Sequence, residues 1–160
     1  MSKIKIKNSN QKIADILLKI GCVNINFKKK FTLTSGKKSP VYVDCRKLIS
    51  FPKEREIVIN EMTKLIKSKY KNEVLVAGGE TAGIPYSSFI SHKLNYPMVY
   101  IRKQSKGFGK GKLIEGEFKK KSKSILIEDM ATDGGSKIHF IDSLRKNSLT
   151  VNDIYVVFFY

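Results

Sequence analysis

The stretch Ile125-Leu126-Ile127-Glu128-Asp129-Met130-Ala131-Thr132-Asp133-Gly134-Gly135-Ser136 decides how the rest of the chain is read. An apolar run of strand length stops at two adjacent acids, a small glycine-rich turn follows, and residues 136–146 take up a helical pattern. A helix opened by glycines presents unpaired backbone N–H groups and partial positive charge, and Thr132 and Ser136 add hydroxyl donors. The turn is therefore a cradle for an anion. Successive strand residues point to opposite faces, so Glu128 and Asp129 stand on either side of the strand end, where one or both can grip sugar hydroxyls or a metal-bound ligand. The stretch lacks the Gly-Lys-Ser/Thr ending of a triphosphate-binding loop and the GxGxxG of a dinucleotide fold. An ordinary helix cap with acids near the dipole is the plainer alternative.

Outward from this stretch the same unit recurs. Val74-Leu75-Val76-Ala77 leads through Gly78-Gly79-Glu80-Thr81-Ala82-Gly83 into a helix over residues 85–94. Strands then follow at 98–101, 124–127 and 154–160. Continuous apolar strands alternating with helices predict an α/β fold, a parallel sheet flanked by helices on both faces. Ligands of such sheets bind beyond the carboxyl ends of the strands. Toward the N-terminus, Ile13, Ile16, Leu17 and Ile20 predict a helix over residues 10–20 that stops at Gly21. Phe31 to Asp44 reads as a hairpin about Ser35-Gly36-Lys37-Lys38. Pro52 opens a long helix with a stripe of Val58, Met62, Leu65, Ile66 and Tyr70. The expected organisation is a single domain over 1–160, with a small N-terminal hood over about 1–50 and a core over about 51–160.

The chain has 160 residues, 41% of them hydrophobic, with 31 Lys+Arg against 14 Asp+Glu and a formal charge of +17. That length supports a core without metal or disulfide staples. Cys22 and Cys45 form neither a disulfide framework nor a zinc pattern, which fits a reducing cytoplasm. No run approaches the roughly 18 apolar residues of a membrane span, and Asp15 and Lys19 interrupt the apolar stretch behind the basic start, so secretion is not expected. The charge alone leaves nucleic-acid binding open. Lysine runs such as Lys28-Lys29-Lys30 and Lys119-Lys120-Lys121 read more simply as solvated turns, and a phosphate-rich substrate accounts equally well for a positive field.

Two further stretches carry chemistry. Arg102-Lys103-Gln104-Ser105-Lys106-Gly107-Phe108-Gly109-Lys110-Gly111 is too poor in apolar residues to pack and is expected to be a mobile, cationic lid. Phe31-Thr32-Leu33-Thr34-Ser35-Gly36-Lys37-Lys38-Ser39-Pro40-Val41-Tyr42-Val43-Asp44 proves nothing as a bare hairpin. Taken with the Gly-Ile-Pro turn, the Ile114-Glu115-Gly116 run and the acidic strand end, however, it stands in the order of a known family. The acidic strand and turn resemble the type I phosphoribosyltransferases, and the joined motifs, over residues 13–160, resemble the orotate phosphoribosyltransferases. The Asp133-Gly134-Gly135-Ser136-Lys137 and Val156-Val157-Phe158-Phe159-Tyr160 forms look most like alphaproteobacterial members.

That resemblance implies a type I phosphoribosyltransferase fold. It implies transfer of phosphoribosyl from phosphoribosyl diphosphate to orotate, giving orotidine 5'-monophosphate and diphosphate in pyrimidine biosynthesis. By the same resemblance Arg102, Lys103 and Lys106 contact diphosphate, with Lys106 supplied across a homodimer interface and counted with Asp129 as catalytic. Glu128 and Asp129 bind the ribose hydroxyls. Met130, Ala131, Thr132, Asp133, Gly134, Gly135 and Ser136 wrap the 5-phosphate. Gly79, Glu80, Thr81, Ala82 and Gly83 hold the diphosphate with its magnesium ion, which has no direct protein ligand, while Ser35, Gly36, Tyr42 and Val43 cover the orotate ring. Four departures stand out: Phe108 occupies a lid position where many members have histidine, Thr34 and Ala82 replace lysines of some members, and family chains continue past the position of Tyr160. They keep a non-catalytic phosphoribosyl diphosphate-binding regulator as an alternative, with a nucleic-acid module disfavoured. His92 and His139 fall on expected helices and are assigned no chemistry.

Overall fold

Early in the chain the apolar residues come in pairs and triplets separated by lysine, asparagine and glycine, so only short strands are expected there. The computed structural model describes residues 3–33, 36–104, 112–132 and 135–160, and of residues 3–8 the backbone alone. The chain divides into two units, Met1–Val58 and Ile59–Tyr160.

In the first unit, α1 (Lys3–Lys19) buries Ile16 and Leu17 and gives way at Gly21, whose φ is +71°. It begins earlier than its apolar stripe, because nothing in residues 3–9 breaks a helix once it is nucleated. The strands β1 (Val23–Ile25), β2 (Phe31–Thr32), β3 (Lys38–Ser39) and β4 (Val41–Val43) form two antiparallel ribbons, β2 with β3 and β1 with β4. Only the first half of the expected hairpin pairs as expected. Pro40 has no N–H to extend the ladder, and residues 41–43 cross to β1, with Val23 opposite Val43. A 3₁₀ turn over Cys45–Ser50 follows, its Asp44 cap accepting the Arg46 backbone N–H at 3.2 Å. Cys22 and Cys45 are buried free thiols. α2 (Pro52–Lys69), which begins in the first unit and continues in the second, starts at the proline and buries Val58, Ile59, Met62 and Ile66, while Leu65 and Tyr70 of the expected stripe are only half-buried.

The second unit holds β5 (Leu75–Gly79), α3 (Gly83–Leu94), β6 (Met98–Ile101), β7 (Ile114–Glu115), β8 (Lys123–Ala131), α4 (Gly135–Lys146) and β9 (Thr150–Phe159). Its five-stranded sheet runs β7-β6-β5-β8-β9. The expected parallel order holds for β6, β5, β8 and β9, but β7 is an antiparallel edge of two residues, too short to leave a periodic signal. β8 also runs further than the apolar run, through both acids to Ala131, because β9 accompanies it that far, with Ala131 opposite Phe159.

Strand alternation assigns the faces. Leu75, Ala77 and Leu126 join Phe140 and Leu144 of α4 in one apolar layer with Val99, Ile101 and Val151. On the other face a Cβ at Gly78 would collide with Ser87 of α3. The sheet is thus covered on both sides, and the ends of β5, β6 and β8 open toward one edge. Among the described residues no helix is long and apolar enough to cross a membrane.

Candidate active site at the strand ends

Burial of β8 carries its two acids into the protein. Glu128 is 5% exposed and Asp129 8%. Glu128 shares its face with Leu126 and meets α4, whereas Asp129 continues the opposite face, so the pair does stand on either side of the strand. Glycine makes room for Glu128. A Cβ at Gly79 would collide with Glu128 Oε1 and the Phe140 ring, and one at Gly83 would stand 2.5 Å from that oxygen and 2.6 Å from the Ile127 carbonyl. The turn after β5 therefore lies directly against the acidic strand end.

Glu128 Oε2 lies 3.3 Å from Lys137 Nζ, while Oε1 has no hydrogen-bond partner among the described residues. Burial pushes this carboxyl from its ordinary 4.5 up to about 7, against the pull of the Lys137 ammonium; the charge of Asp129 adds to the rise and the Gly79 amide opposes it weakly. A carboxyl that titrates near neutrality at a strand end is the kind of group functional sites collect. Asp129 Oδ1 accepts the Met130 backbone N–H at 2.8 Å.

Beyond β8, Met130 is half-buried and the Ala131 carbonyl accepts the Tyr160 N–H at 3.1 Å. Thr132, Gly135 and Ser136 are exposed, and among the described residues nothing lies within 4 Å of a Cβ built at Gly135. Asp133 and Gly134 lie outside the described residues. After β5, the Glu80 N–H donates to the Ile101 carbonyl, and its Oε2 accepts the Lys103 N–H at 2.8 Å, which ties the glycine turn to the root of the cationic segment. The Glu80–Thr81 peptide is cis. Thr81 accepts the Ile84 N–H at 3.3 Å, and Ala82 caps α3. Arg102 follows β6, its N–H on Leu113 O at 2.8 Å and its Nη1 4.0 Å from Glu115 Oε1, and Lys103 is exposed. Lys106 and Phe108 lie outside the described residues, as does the expected mobility of that stretch.

The hood residues belong to the first unit. Gly36 is exposed at a φ of +80°, a conformation that glycine adopts without strain, and its N–H closes the turn on Leu33 O at 2.8 Å. Val43 is buried, and Tyr42 stacks obliquely on Phe31 with ring centroids 5.6 Å apart. The Arg46 Nε lies 2.6 Å from Asp44 Oδ1 and holds that carboxyl below its ordinary range. Ser35 and Thr34 lie outside the described residues. His92 and His139 are both exposed.

Sequence reasoning thus reached Gly79 to Gly83, Arg102, Lys103 and the acidic pair, which the fold brings to one edge. It missed Lys137 and Phe140, which surround Glu128. The available signal was a lysine in the first turn of a helix, where the dipole disfavours a cation.

No protein-family model matches the sequence. The chain is 43% identical over 149 residues to the orotate phosphoribosyltransferase of Ruegeria sp. (strain TM1040), covering 92% of this chain and 66% of that protein. Among solved structures it is similar to orotate phosphoribosyltransferase from Aeropyrum pernix, with a TM-score of 0.78, 29% identity, and coverage of 90% of this chain and 79% of that one. It is also similar to Leishmania donovani UMP synthase, with a TM-score of 0.77, 33% identity, and coverage of 91% and 30%. The chain spans just under two thirds of the length of the curated relatives it matches.

Proposed function

The chain belongs to the orotate phosphoribosyltransferase family and has the type I phosphoribosyltransferase fold; from that premise we propose that it transfers phosphoribosyl from phosphoribosyl diphosphate to orotate, as a cytoplasmic homodimer of pyrimidine biosynthesis. The observation that carries the reading is the meeting of the glycine turn after β5 with the acid pair of β8, at an edge where α4 begins with the exposed Gly135 and Ser136.

In this reading Thr132, Gly135 and Ser136 receive the 5-phosphate, whose charge suits the helix end. Asp129 and Glu128 hold the ribose hydroxyls. Arg102 and Lys103, joined by Lys106 of the partner subunit, neutralise the diphosphate as its bond to the sugar breaks. Gly36, Tyr42 and Val43, with Ser35, are the residues proposed for the orotate ring. Catalysis is then electrostatic and positional, with no covalent intermediate on the protein. Among the described residues no group of three or more His, Cys, Asp or Glu is placed to hold a metal. A magnesium ion that keeps water and phosphate oxygens as its ligands fits such a site when it arrives on the diphosphate. When bound it would supply positive charge to the leaving group.

The test is turnover. With magnesium and phosphoribosyl diphosphate, orotate should be consumed and adenine and hypoxanthine ignored. Transfer to a purine with none to orotate overturns the assignment. Binding of phosphoribosyl diphosphate without turnover of any base supports the regulator instead, and salt-sensitive nucleic-acid binding independent of that ligand supports the third class.

A further inference from the structure

Lys137 sits in the first turn of α4, where the positive end of the helix dipole disfavours a cation, and no acidic residue shares that turn. Its side chain is nonetheless drawn inward to 14% exposure, with Nζ 3.3 Å from Glu128 Oε2 and 3.2 Å from Ser136 Oγ. One ammonium therefore touches both the proposed phosphate cradle and the strand-end acid. Glu128 requires such a partner, because it is wedged among Gly79, Gly83 and Phe140, and Oε1 has no hydrogen bond of ordinary geometry among the described residues. Among the described residues the charged groups acting on it are Lys137 from α4 and Asp129 from β8, while β5 and α3 offer it backbone. Asp129 repels, so of these two charges only Lys137 offsets the burial, with weaker help from the Gly79 amide.

We propose that Lys137 is a positioning residue that ties the Glu128 carboxyl to Ser136 at the start of α4 and favours its charged form against burial, so that the ribose-binding acid is set before the substrate arrives. For its ligand this inference rests on the proposed phosphoribosyl diphosphate reading; the contact geometry stands without it. A bound 5-phosphate would also offset the cation's unfavourable place on the helix, so the ligand and Lys137 support each other.

Two measurements test it. In ligand-free protein, the ionisation of Glu128 is followed by carboxyl ¹³C NMR in the parent chain, Lys137→Met and Lys137→Arg. The Met variant should titrate about one pH unit or more above the parent, and Arg should restore most of the difference. An unchanged titration in Lys137→Met overturns the inference, whether or not any ligand binds. Calorimetry with phosphoribosyl diphosphate then compares affinities from about pH 6 to pH 9. Lys137→Met should bind about tenfold more weakly near pH 7, recover as pH rises, and cause no further loss in a Glu128→Gln background. An equal loss in that background, or one independent of pH, makes Lys137 a plain ligand contact and overturns the positioning role. A parent chain that binds no phosphoribosyl diphosphate refutes the functional reading, and the NMR titration still decides the role of Lys137.

Discussion

Replacing Glu128 by Gln should change how stability depends on pH, in a direction the burial dictates. The folded carboxyl titrates at about 7 against an ordinary 4.5. A raised acid contributes stability that is fully present below its unfolded value and is lost as pH climbs through its folded value. The loss therefore spans about pH 4.5 to 7. At about 1.4 kcal/mol per pH unit it totals about 3 kcal/mol, of which about 2.5 kcal/mol falls between pH 5 and pH 8. Gln has no such ionisation. The gap in unfolding free energy between parent and Glu128→Gln should consequently shift by about 2.5 kcal/mol in favour of the variant between those two pH values. Taking the difference between two pH values cancels the constant cost of leaving Lys137 without its carboxylate, which either pH alone would not. Urea unfolding at about pH 5 and pH 8 measures it, and thermal midpoints should diverge by roughly 5–10 °C for a chain of this size. Parallel behaviour of the two proteins would refute the claim that Glu128 is a buried, neutral-range acid. If Glu128 holds the ribose hydroxyls as proposed, the variant should also bind phosphoribosyl diphosphate poorly.

Gly79→Ala should destabilise the second unit by about 1–3 kcal/mol and weaken phosphoribosyl diphosphate binding, because its methyl group must displace Glu128 Oε1 and the Phe140 ring; calorimetric unfolding with ligand titration reads both. Tyr70 donates its hydroxyl to Asp153 Oδ2, beside the Lys69 pair at 2.5 Å. Burial raises the Asp153 carboxyl, but these partners outweigh it and leave it below the ordinary range, so their contribution is present near neutrality and fades as pH falls through that lowered value. Tyr70→Phe should cost about 1–2 kcal/mol in urea unfolding at pH 7 with turnover unchanged. Finally, mixing Lys106→Ala with Asp129→Asn should yield hybrid dimers more active than either parent variant if the partner's lysine completes each site. Demonstrated subunit exchange with no recovery of activity places Lys106 in its own subunit's site or outside catalysis.

Much of this protein was legible before any coordinates, because its signals are local. Four apolar runs of strand length predict β5, β6, β8 and β9 to within a few residues; β5 and β8 are buried by the residues that spell them, whereas residues 154–160 of the last run stay half-buried or exposed. Pro52 and Gly21 mark helix boundaries through their own backbone chemistry. The opposed placement of the acid pair was legible for the same reason, because successive strand residues point to opposite faces. Tertiary structure decided the rest. A two-residue antiparallel edge such as β7 has no period to read, and the pairing of β1 with β4 joins residues 16 to 20 apart through a choice that Pro40 permits but does not specify. The state of Glu128 lies furthest from the sequence. Its high pKa comes from desolvation, which exists only once Gly79, Gly83 and Phe140, from three other elements, close around it, and Lys137 becomes its counter-charge only when α4 folds back on that face of the sheet.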